Sequence, residues 1–274
     1  LGLLLGAWWA YTILGWGGYW AWDPVENAAF MPWLALTAFI HSIMVQKRRG
    51  MFRMWNIALI NISFTLGAFG IFINRGGPVP SVHSFGASNL GWLFLIFLGV
   101  VMLLAFGLFF YRMALLRSSG SLESALSREA AFLVNNLLFL GIAFVTLWGV
   151  VFPIISELVL DTTITVGEPF YNRVNGPIIL ALLFLMAIGP LLPWRHATWG
   201  SVRRAIFTPG LITLGITAVV AALGVDKPVV LIGVAVSTLV AISVLQEWVR
   251  GTHARHRATH ESYPVAFLQL NASN

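Results

Sequence analysis

Residues 90–111 read LGWLFLIFLGVVMLLAFGLFFY, and the first charged residue after this run is Arg112. A helix needs about 20 predominantly apolar residues to cross the hydrocarbon core of a bilayer, so this run predicts a membrane span. Similar apolar segments recur along the chain. The predicted spans are 1–14, 30–46, 55–74, 90–111, 131–152, 176–194, 206–223 and 229–249. The sequence therefore predicts an all-α polytopic membrane protein with about eight transmembrane helices, the first of them incomplete.

The composition excludes the common soluble classes of protein. Of the 274 residues, 58% are hydrophobic and 9% are charged, whereas about 25% are charged in an ordinary soluble domain. This contrast excludes a soluble globular protein, a disordered tail and a fibrous repeat. The chain contains no cysteine, so it has no disulfide, no thiolate metal ligand and no thiol nucleophile.

The placement of the basic residues predicts the orientation in the membrane. If the spans alternate in direction, thirteen of the 16 Lys and Arg residues share one side. They are Lys47, Arg48, Arg49, Arg53, Arg112, Arg117, Arg128, Arg195, Arg203, Arg204, Arg250, Arg255 and Arg257. By the positive-inside rule this side faces the cytoplasm, so the excess of basic residues indicates topology and not nucleic-acid binding. The loops that face the opposite side, periplasmic in a bacterium, are 15–29, 75–89, 153–175 and 224–228.

The two ends of the chain predict how it is organised. Leu1 already lies in an apolar run and Asn274 lies in a polar loop, so we expect an internal fragment that forms a single transmembrane domain, 1–274. The segment 250–274 is predicted to be a cytoplasmic basic loop. Its arginines and histidines are typical of a solvated face that contacts anionic membrane lipid.

The first periplasmic loop, 15–29, is unusually rich in tryptophan. Trp16, Trp20 and Trp22 lie close to Gly17 and Gly18. A single tryptophan here would be typical of the aromatic belt at a membrane interface. Three in one glycine-bearing loop favour a platform for a flat ligand, because aromatic rings stack on other π-systems and glycine lets the backbone approach closely.

The residues that follow predict the start of a helix. Asp23 is a good N-cap, Pro24 suits the first helical position, and Glu26 stands where a capping box needs it. Pro32 is predicted to begin another helix. The segment between these positions should therefore be a short helix on the periplasmic surface that leads into the second span.

Two histidines are candidates for ligand binding. His41 lies nine residues past Pro32, about 14 Å along a helix and close to the middle of the bilayer. An ionisable residue at this depth is either a packed histidine or a functional one, and neutral imidazole is a common ligand of metals, haem iron included. His83 lies in the loop 75–89, where prolines and glycines fix the backbone and Val82 and Phe85 suggest burial at the membrane surface.

Several segments resemble one known family. WGGYWAWDPVENAAFMPW, from Trp16 to Trp33, resembles the WWD signature of haem-handling proteins. Its extended form, followed by a histidine in the next helix, is similar to CcmF, the membrane haem lyase subunit of the cytochrome c maturation pathway. SVHSFGAS (81–88), SREAAFLVNNLLFL (127–140) and ITVGEPFYN (164–172) resemble further segments of that family. The resemblance runs from about Trp8 to Pro193.

This resemblance implies roles for particular residues. A shelf that holds the substrate haem would be formed by Trp16, Gly17, Gly18, Trp20, Trp22, Asp23 and Glu26. His83 would be one axial ligand of that haem, on the periplasmic side. His41 would be a ligand of a separate b-type haem within the membrane. The family places the second histidine of each pair outside this chain.

The resemblance also implies a reaction and its partners. The family joins the two vinyl groups of haem to the two thiols of a C-x-x-C-H motif in apocytochrome c. The implied partners are a haem chaperone, apocytochrome c and the subunits that reduce and hold the apocytochrome, with a quinol as a candidate electron donor. The implied location is the bacterial inner membrane, or the mitochondrial inner membrane for a split organellar version.

Three other functions are compatible with parts of the pattern. A haem exporter that loads a chaperone shares the WWD core, but the PVEN and MPW segments and the later motifs argue against it. A b-type cytochrome that oxidises quinol needs the membrane haem but not the tryptophan shelf. A transporter with a histidine in its proton path predicts no bound haem and paired broken helices, which the hydropathy pattern lacks.

Overall fold

The computed structural model describes residues 1–15, 18–83, 90–118, 120–194 and 196–272. Throughout these residues the regular structure is helical, without a strand. The α-helices in this part of the chain are α1 Gly2–Thr12, α2 Pro24–Arg49, α3 Arg53–Gly76, α4 Gly91–Arg112, α5 Arg128–Leu160, α6 Glu168–Ile188, α7 Trp199–Ala222, α8 Pro228–Thr259 and α9 Tyr263–Ala272. The all-α architecture predicted from the sequence is confirmed.

Seven of the described helices, α2 to α8, are long and apolar enough to cross a membrane. They correspond in order to the second through eighth predicted spans. The first predicted span forms α1, whose 11 residues extend only about 16 Å and cannot cross a core of about 30 Å. The chain is therefore an all-α polytopic membrane protein with seven complete candidate spans among the described residues.

The outward faces of the spans are apolar. Along α4 only Leu98 and Val101 are buried, whereas Leu103 and Leu104 are 74% and 66% exposed. A helix that is hydrophobic all round suits a lipid environment and not water. The exposed leucine, isoleucine and phenylalanine side chains of the other spans have the same explanation, since they face lipid.

Helices α2 and α3 form the tightest pair near the start of the chain. The buried residues of α2 recur at every third or fourth position from Asn27 to Val45, which is the period of one helix face. Met31 and Ala35 pack against Leu66 of α3. This face carries the packing of α2 against α3.

The helix α2 runs without a break through Pro32, so the predicted short surface helix and the new start at Pro32 are wrong. Proline cannot donate to the carbonyl of Ala28, four residues earlier. The neighbouring helix α3 packs closely against this stretch. A Cβ at Gly70 would lie only 3.2 Å from the Ala28 carbonyl oxygen, and the Ser63 hydroxyl donates to the Pro32 carbonyl at 3.2 Å. The proline therefore lies where α2 is held by close contacts with a second helix.

Two predicted loops are also shorter than expected because helices continue through them. Helix α5 passes Pro153 and ends at Leu160, and α6 begins at Glu168, so only 161–167 of the predicted loop 153–175 are non-helical. The predicted basic loop 250–274 is helical in α8 and α9. At the turn between these helices, the Arg255 guanidinium donates to both carboxylate oxygens of Glu261 at 2.8 and 3.3 Å, which lowers the pKa of Glu261.

The predicted single domain divides into two compact units. Unit one comprises Leu1–Ser121 and Leu133–Ile179, and unit two comprises Leu122–Phe132 and Leu180–Asn274. Unit two contains a core of Ala131, Leu192, Ala197 and Val202. Every candidate ligand-binding residue named above belongs to unit one.

Within unit one the helix ends meet as alternating spans require. The start of α2, the loop after α3 and the start of α6 share one end, since Trp22 contacts Asn172 and Asp23 contacts Ser81. At the other end, the Arg53 amide donates to the Ser118 hydroxyl at 3.0 Å. The candidate residues of the loops therefore gather at one end of the unit.

A glycine-to-alanine substitution, which adds one methyl group, tests the contact between α2 and α3. We expect Gly70→Ala to lower the free energy of unfolding by about 1–2 kcal/mol, because the added Cβ overpacks against Ala28. The matched control is Gly67→Ala, three residues earlier on α3, where a Cβ meets nothing within 4 Å. The measurement is unfolding in detergent followed by circular dichroism. Equal stabilities of the two variants would contradict the proposed contact.

Candidate functional site

Two carboxylates cap the start of α2. Asp23 is the N-cap, and its Oδ2 accepts a hydrogen bond from the Val25 amide at 3.0 Å. Glu26 reaches back, and its Oε2 accepts from the amides of Asp23 at 3.3 Å and Ala21 at 3.0 Å. The predicted capping box is confirmed, and it satisfies amides that a helix start leaves without partners.

Asp23 also holds the loop that carries His83. The Ser81 hydroxyl donates to Oδ2 of Asp23, and the Val82 amide donates to Oδ1 at 3.3 Å. The Nδ1 atom of His83 lies 3.1 Å from Oδ2 of Asp23, and its Nε2 lies 3.9 Å from Oε1 of Glu26. The structure thus brings together three of the predicted site residues, Asp23, Glu26 and His83, from segments about 60 residues apart.

A groove of about 440 Å³ lies beside this cluster. Its volume falls within the usual range for ligand pockets, about 300–1,000 Å³. Aromatic and aliphatic groups form most of its wall, and Glu26 and His83 contribute a carboxylate and an imidazole. The groove is lined by Gly2, Leu3, Gly6, Ala7, Trp9, Ala10, Tyr19, Trp20, Val25, Glu26, Ala29 and His83. An apolar groove with a few convergent polar groups is the usual form of a ligand site.

The two described tryptophans of the predicted shelf, Trp20 and Trp22, occupy different positions relative to this groove. Trp20 lines it, and the Trp20 and Trp22 rings meet edge to face with centroids 5.8 Å apart. Gly18 is exposed, and a Cβ there would meet nothing within 4 Å, so its conformation is not dictated by a close protein contact. Trp16 and Gly17 lie outside the described residues, as do residues 84–89 of the histidine loop.

Two residues of α6 complete the site, and the sequence analysis did not single them out. The Trp22 indole N–H donates to Oδ1 of Asn172 at 2.9 Å. The Trp22 ring stacks on Tyr171, with centroids 5.0 Å apart and planes 9° apart. Both residues belong to the segment 164–172, which was noted only for its family resemblance. The one general rule that could have predicted a partner for Trp22 is that a partly buried indole N–H usually finds a hydrogen-bond acceptor.

His41 lies within the span α2, away from the groove. Its Nδ1 is 2.9 Å from Nδ2 of Asn135 on α5, and its ring stacks on Phe139 at 5.9 Å. A histidine that ligates a metal is usually fixed by a hydrogen bond at its other ring nitrogen, and the amide of Asn135 can present either its oxygen or its nitrogen to the ring. The surroundings of His41 therefore fit a histidine that could ligate haem iron.

No set of protein side chains forms a metal centre on its own in the described ranges. Within them, no three His, Cys, Asp or Glu side chains come together in a way that could hold a metal ion. Haem needs only axial ligands, because its four porphyrin nitrogens already bind the iron. Single histidines such as His83 and His41 are compatible with haem for this reason, and less so with a bare metal ion.

Comparison with known proteins identifies the family. Residues 1–76 match the family model described as "Cytochrome C assembly protein". The Rhodobacter capsulatus cytochrome c-type biogenesis protein ccl1 is 37% identical over 86% of this chain and 36% of its own length. The Haemophilus influenzae cytochrome c-type biogenesis protein CcmF is 34% identical over 100% of this chain and 42% of its own length.

A solved structure extends the similarity to the fold. The structure named "Cytochrome c Heme Lyase CcmF" superposes with a TM-score of 0.71 at 31% identity, covering 98% of this chain and 41% of that one. The chain belongs to the CcmF family. It spans about two fifths of the length of the CcmF proteins that it matches. The CcmF-like region includes the candidate site, since the similarity to the Haemophilus influenzae protein covers 100% of this chain.

The double role of Asp23 in this CcmF-type site can be separated by substitution. We expect Asp23→Ala to lower the free energy of unfolding by about 1 kcal/mol or more, because the N-cap of α2 is lost. Asp23→Asn should lower it by less, because asparagine is also a good N-cap but has only one acceptor oxygen for the helix start and the His83 loop. Asp226→Ala, in the exposed loop before α8, serves as the control in the same detergent unfolding measurement. A loss with Asn as large as the loss with Ala would assign the stability to the contacts with the loop and not to the N-cap.

Proposed function

We propose that this chain contributes the haem-holding part of a CcmF-type haem lyase, which attaches haem covalently to apocytochrome c. The observation that carries the proposal is the cluster of Asp23, Glu26 and His83 beside an aromatic groove, which Glu26 and His83 line. The similarity to the structure named "Cytochrome c Heme Lyase CcmF" supports a lyase activity. Since the chain spans about two fifths of those relatives, the activity of the complete protein is part of the proposal.

His83 is the proposed axial ligand of the substrate haem. In this assignment the Nδ1–H group of His83 donates a hydrogen bond to Asp23, which leaves Nε2 as the nitrogen that would coordinate the iron. A carboxylate in this position orients a ligating histidine. Asp23 is 9% exposed and His83 is 22% exposed, so the pair is largely shielded from water while the ring still borders the groove.

The tryptophan segment is the proposed surface on which the porphyrin lies. Trp20 and Tyr19 line the groove, and the apolar face of α1 closes it. In the reaction, each cysteine sulfur of the C-x-x-C-H motif bonds to a vinyl carbon of haem, and the thiol hydrogen goes to the neighbouring vinyl carbon. No group leaves, and the protein needs no thiol of its own. The protein would act by holding haem and peptide in a reactive orientation, which makes the encounter effectively intramolecular.

His41, positioned by Asn135 and Phe139, is the proposed ligand of a separate b-type haem within the membrane. When bound, that haem would supply electrons to the iron of the substrate haem, with a quinol as the donor. A series of neighbouring rings lies between the two positions. It runs from Trp20 through Phe30, Trp33 and Phe139 to His41, with centroids 5.4 to 6.3 Å apart. The series therefore connects His41 with the wall of the groove, which His83 also lines.

The proposed setting is the inner membrane, with the groove on the periplasmic side. The thirteen basic residues that share the opposite side support this orientation. A haem chaperone would deliver the haem, and the subunits that reduce and hold apocytochrome c would bring the peptide. Both partners must approach the end of unit one where the tryptophan segment and the His83 loop meet.

Titration of the purified protein with haemin tests the role of His83. We expect His83→Ala to lose the spectrum of a histidine-ligated haem at the groove, and Asp23→Asn to bind haemin roughly tenfold more weakly, as expected for a residue that orients a ligand. His253→Ala, on α8 in unit two, is the control and should bind like the parent protein. Haemin binding that survives His83→Ala unchanged would overturn this assignment.

A reduced-minus-oxidised absorption spectrum in detergent tests the role of His41. We expect the parent protein to show a b-type spectrum that His41→Ala removes, while His83→Ala retains it. Loss of an axial ligand changes the spin state and the potential of haem iron, so the effect should be evident without any activity assay. A b-type spectrum that persists in His41→Ala would make His41 a packed histidine and place the haem elsewhere.

A further inference from the structure

Trp22 adopts a backbone conformation that its own side chain disfavours. Its φ is +56°, in the left-handed region that a bulky residue rarely occupies. Residues in this region persist only where the surroundings hold them, and they gather at ligand-binding sites. Asp23 follows directly, so the conformation of Trp22 determines where the Asp23 carboxylate lies.

Three side chains hold Trp22 in this conformation. The Asn27 amide donates to the Trp22 carbonyl at 2.8 Å, and Asn27 is completely buried. The indole N–H is bound by Asn172 and the indole ring is stacked on Tyr171. Asn27 lies on α2 itself, but the other two residues come from α6, about 150 positions later in the chain.

The two α6 residues are themselves fixed. Nδ2 of Asn172 donates to Oε1 of Glu168 at 2.9 Å, so the amide oxygen is the atom directed at the indole. Tyr171 is 1% exposed, and its hydroxyl end contacts Gly149 of α5 at a point where a Cβ would overlap it. The start of α6 therefore presents a rigid surface to Trp22.

We infer that Tyr171 and Asn172 are positioning residues for His83, acting through Trp22 and Asp23. This inference rests on the proposed function, since it concerns the same haem ligand. Three successive contacts connect α6 to His83. Residues of α6 fix Trp22, and Trp22 fixes the start of α2. Asp23 at that start holds Ser81, Val82 and His83. A change at the start of α6 should therefore alter haem ligation without touching the groove.

The chain offers a matched control on the same helix. Asn172 is exposed, so its truncation leaves no cavity in the core. Asn175 lies three residues later, is completely buried and donates to Thr146 of α5 at 3.4 Å, but it has no described contact with Trp22. If α6 only stabilises the fold, Asn175→Ala should do more damage than Asn172→Ala. If α6 positions the ligand, Asn172→Ala should have the larger effect on the site.

The first readout is haemin binding by the purified protein in detergent. We expect Asn172→Ala to bind haemin roughly tenfold more weakly, with a loss of the histidine-ligated spectrum at subsaturating haemin. Trp22→Phe removes the indole N–H and should cause a similar loss. The double variant should be no worse than either single variant, because both changes break one interaction. Asn175→Ala should bind like the parent protein, even where its unfolding temperature falls.

The second readout does not depend on haem. The chain lacks cysteine, so Val79→Cys places a single thiol at a position that is 2% exposed in the loop leading to His83. We expect Asn172→Ala to raise the rate of maleimide labelling at this thiol roughly fivefold, because the loop opens more often when its anchor is loosened. Asn175→Ala should leave the rate unchanged.

The two readouts separate the possible failures. A parent protein that binds no haemin, with labelling that still responds to Asn172→Ala, would reject the proposed function and retain the positioning role. Haemin binding that depends on His83 but not on Asn172, with labelling rates equal in both asparagine variants, would overturn the inference and leave the proposed function intact. Equal effects of Asn172→Ala and Asn175→Ala would make α6 a purely structural support.

Discussion

The carboxylate of Asp23 is the group on which the candidate site depends. A carboxylate has two oxygens and about four acceptor positions. Asp23 uses them for the Val25 amide at the helix start, and for the hydroxyl, amide and imidazole of Ser81, Val82 and His83. The positive end of the α2 dipole stabilises a negative charge at this position. One carboxylate therefore both caps a membrane helix and positions a candidate haem ligand.

Asparagine side chains make many of the contacts between helices in unit one. Asn56 donates to Gln46, Asn61 donates to the Ala105 carbonyl, and Asn135 and Asn175 reach His41 and Thr146. In lipid the packing of apolar side chains gains no hydrophobic driving force, so such polar contacts and close backbone approaches hold spans together. Each contact of this kind is worth only about 0.6 kcal/mol on average in membrane proteins. Their main effect here is on the arrangement of the helices, because they fix which faces of α2, α3 and α5 meet.

Local patterns in the sequence predicted the features that depend on local physics. Apolar runs of about 20 residues predicted the spans, and Asp23-Pro24-Val25-Glu26 predicted the capping box, since both depend on residues that are close in sequence. The path of α2 through Pro32 was not predictable in this way, because its surroundings include Gly70 and Ser63 on another helix. The partner of Trp22 lies about 150 residues away on α6, and no periodicity links the two. Nothing in the local sequence predicted the contact between His83 and Asp23. The two residues were linked only because both lie in segments that resemble one family.

The continuity of α2 fixes the spacing between two parts of unit one. Asp23 caps its first turn and His41 lies 18 residues further along the same helix, a rise of about 27 Å. The residue that anchors the His83 loop and the second candidate histidine therefore belong to one rigid helix. Arrival or departure of a ligand at the groove cannot change their spacing without breaking that helix. Any coupling between the two positions would then act through side chains and the loop, with the distance along α2 held constant.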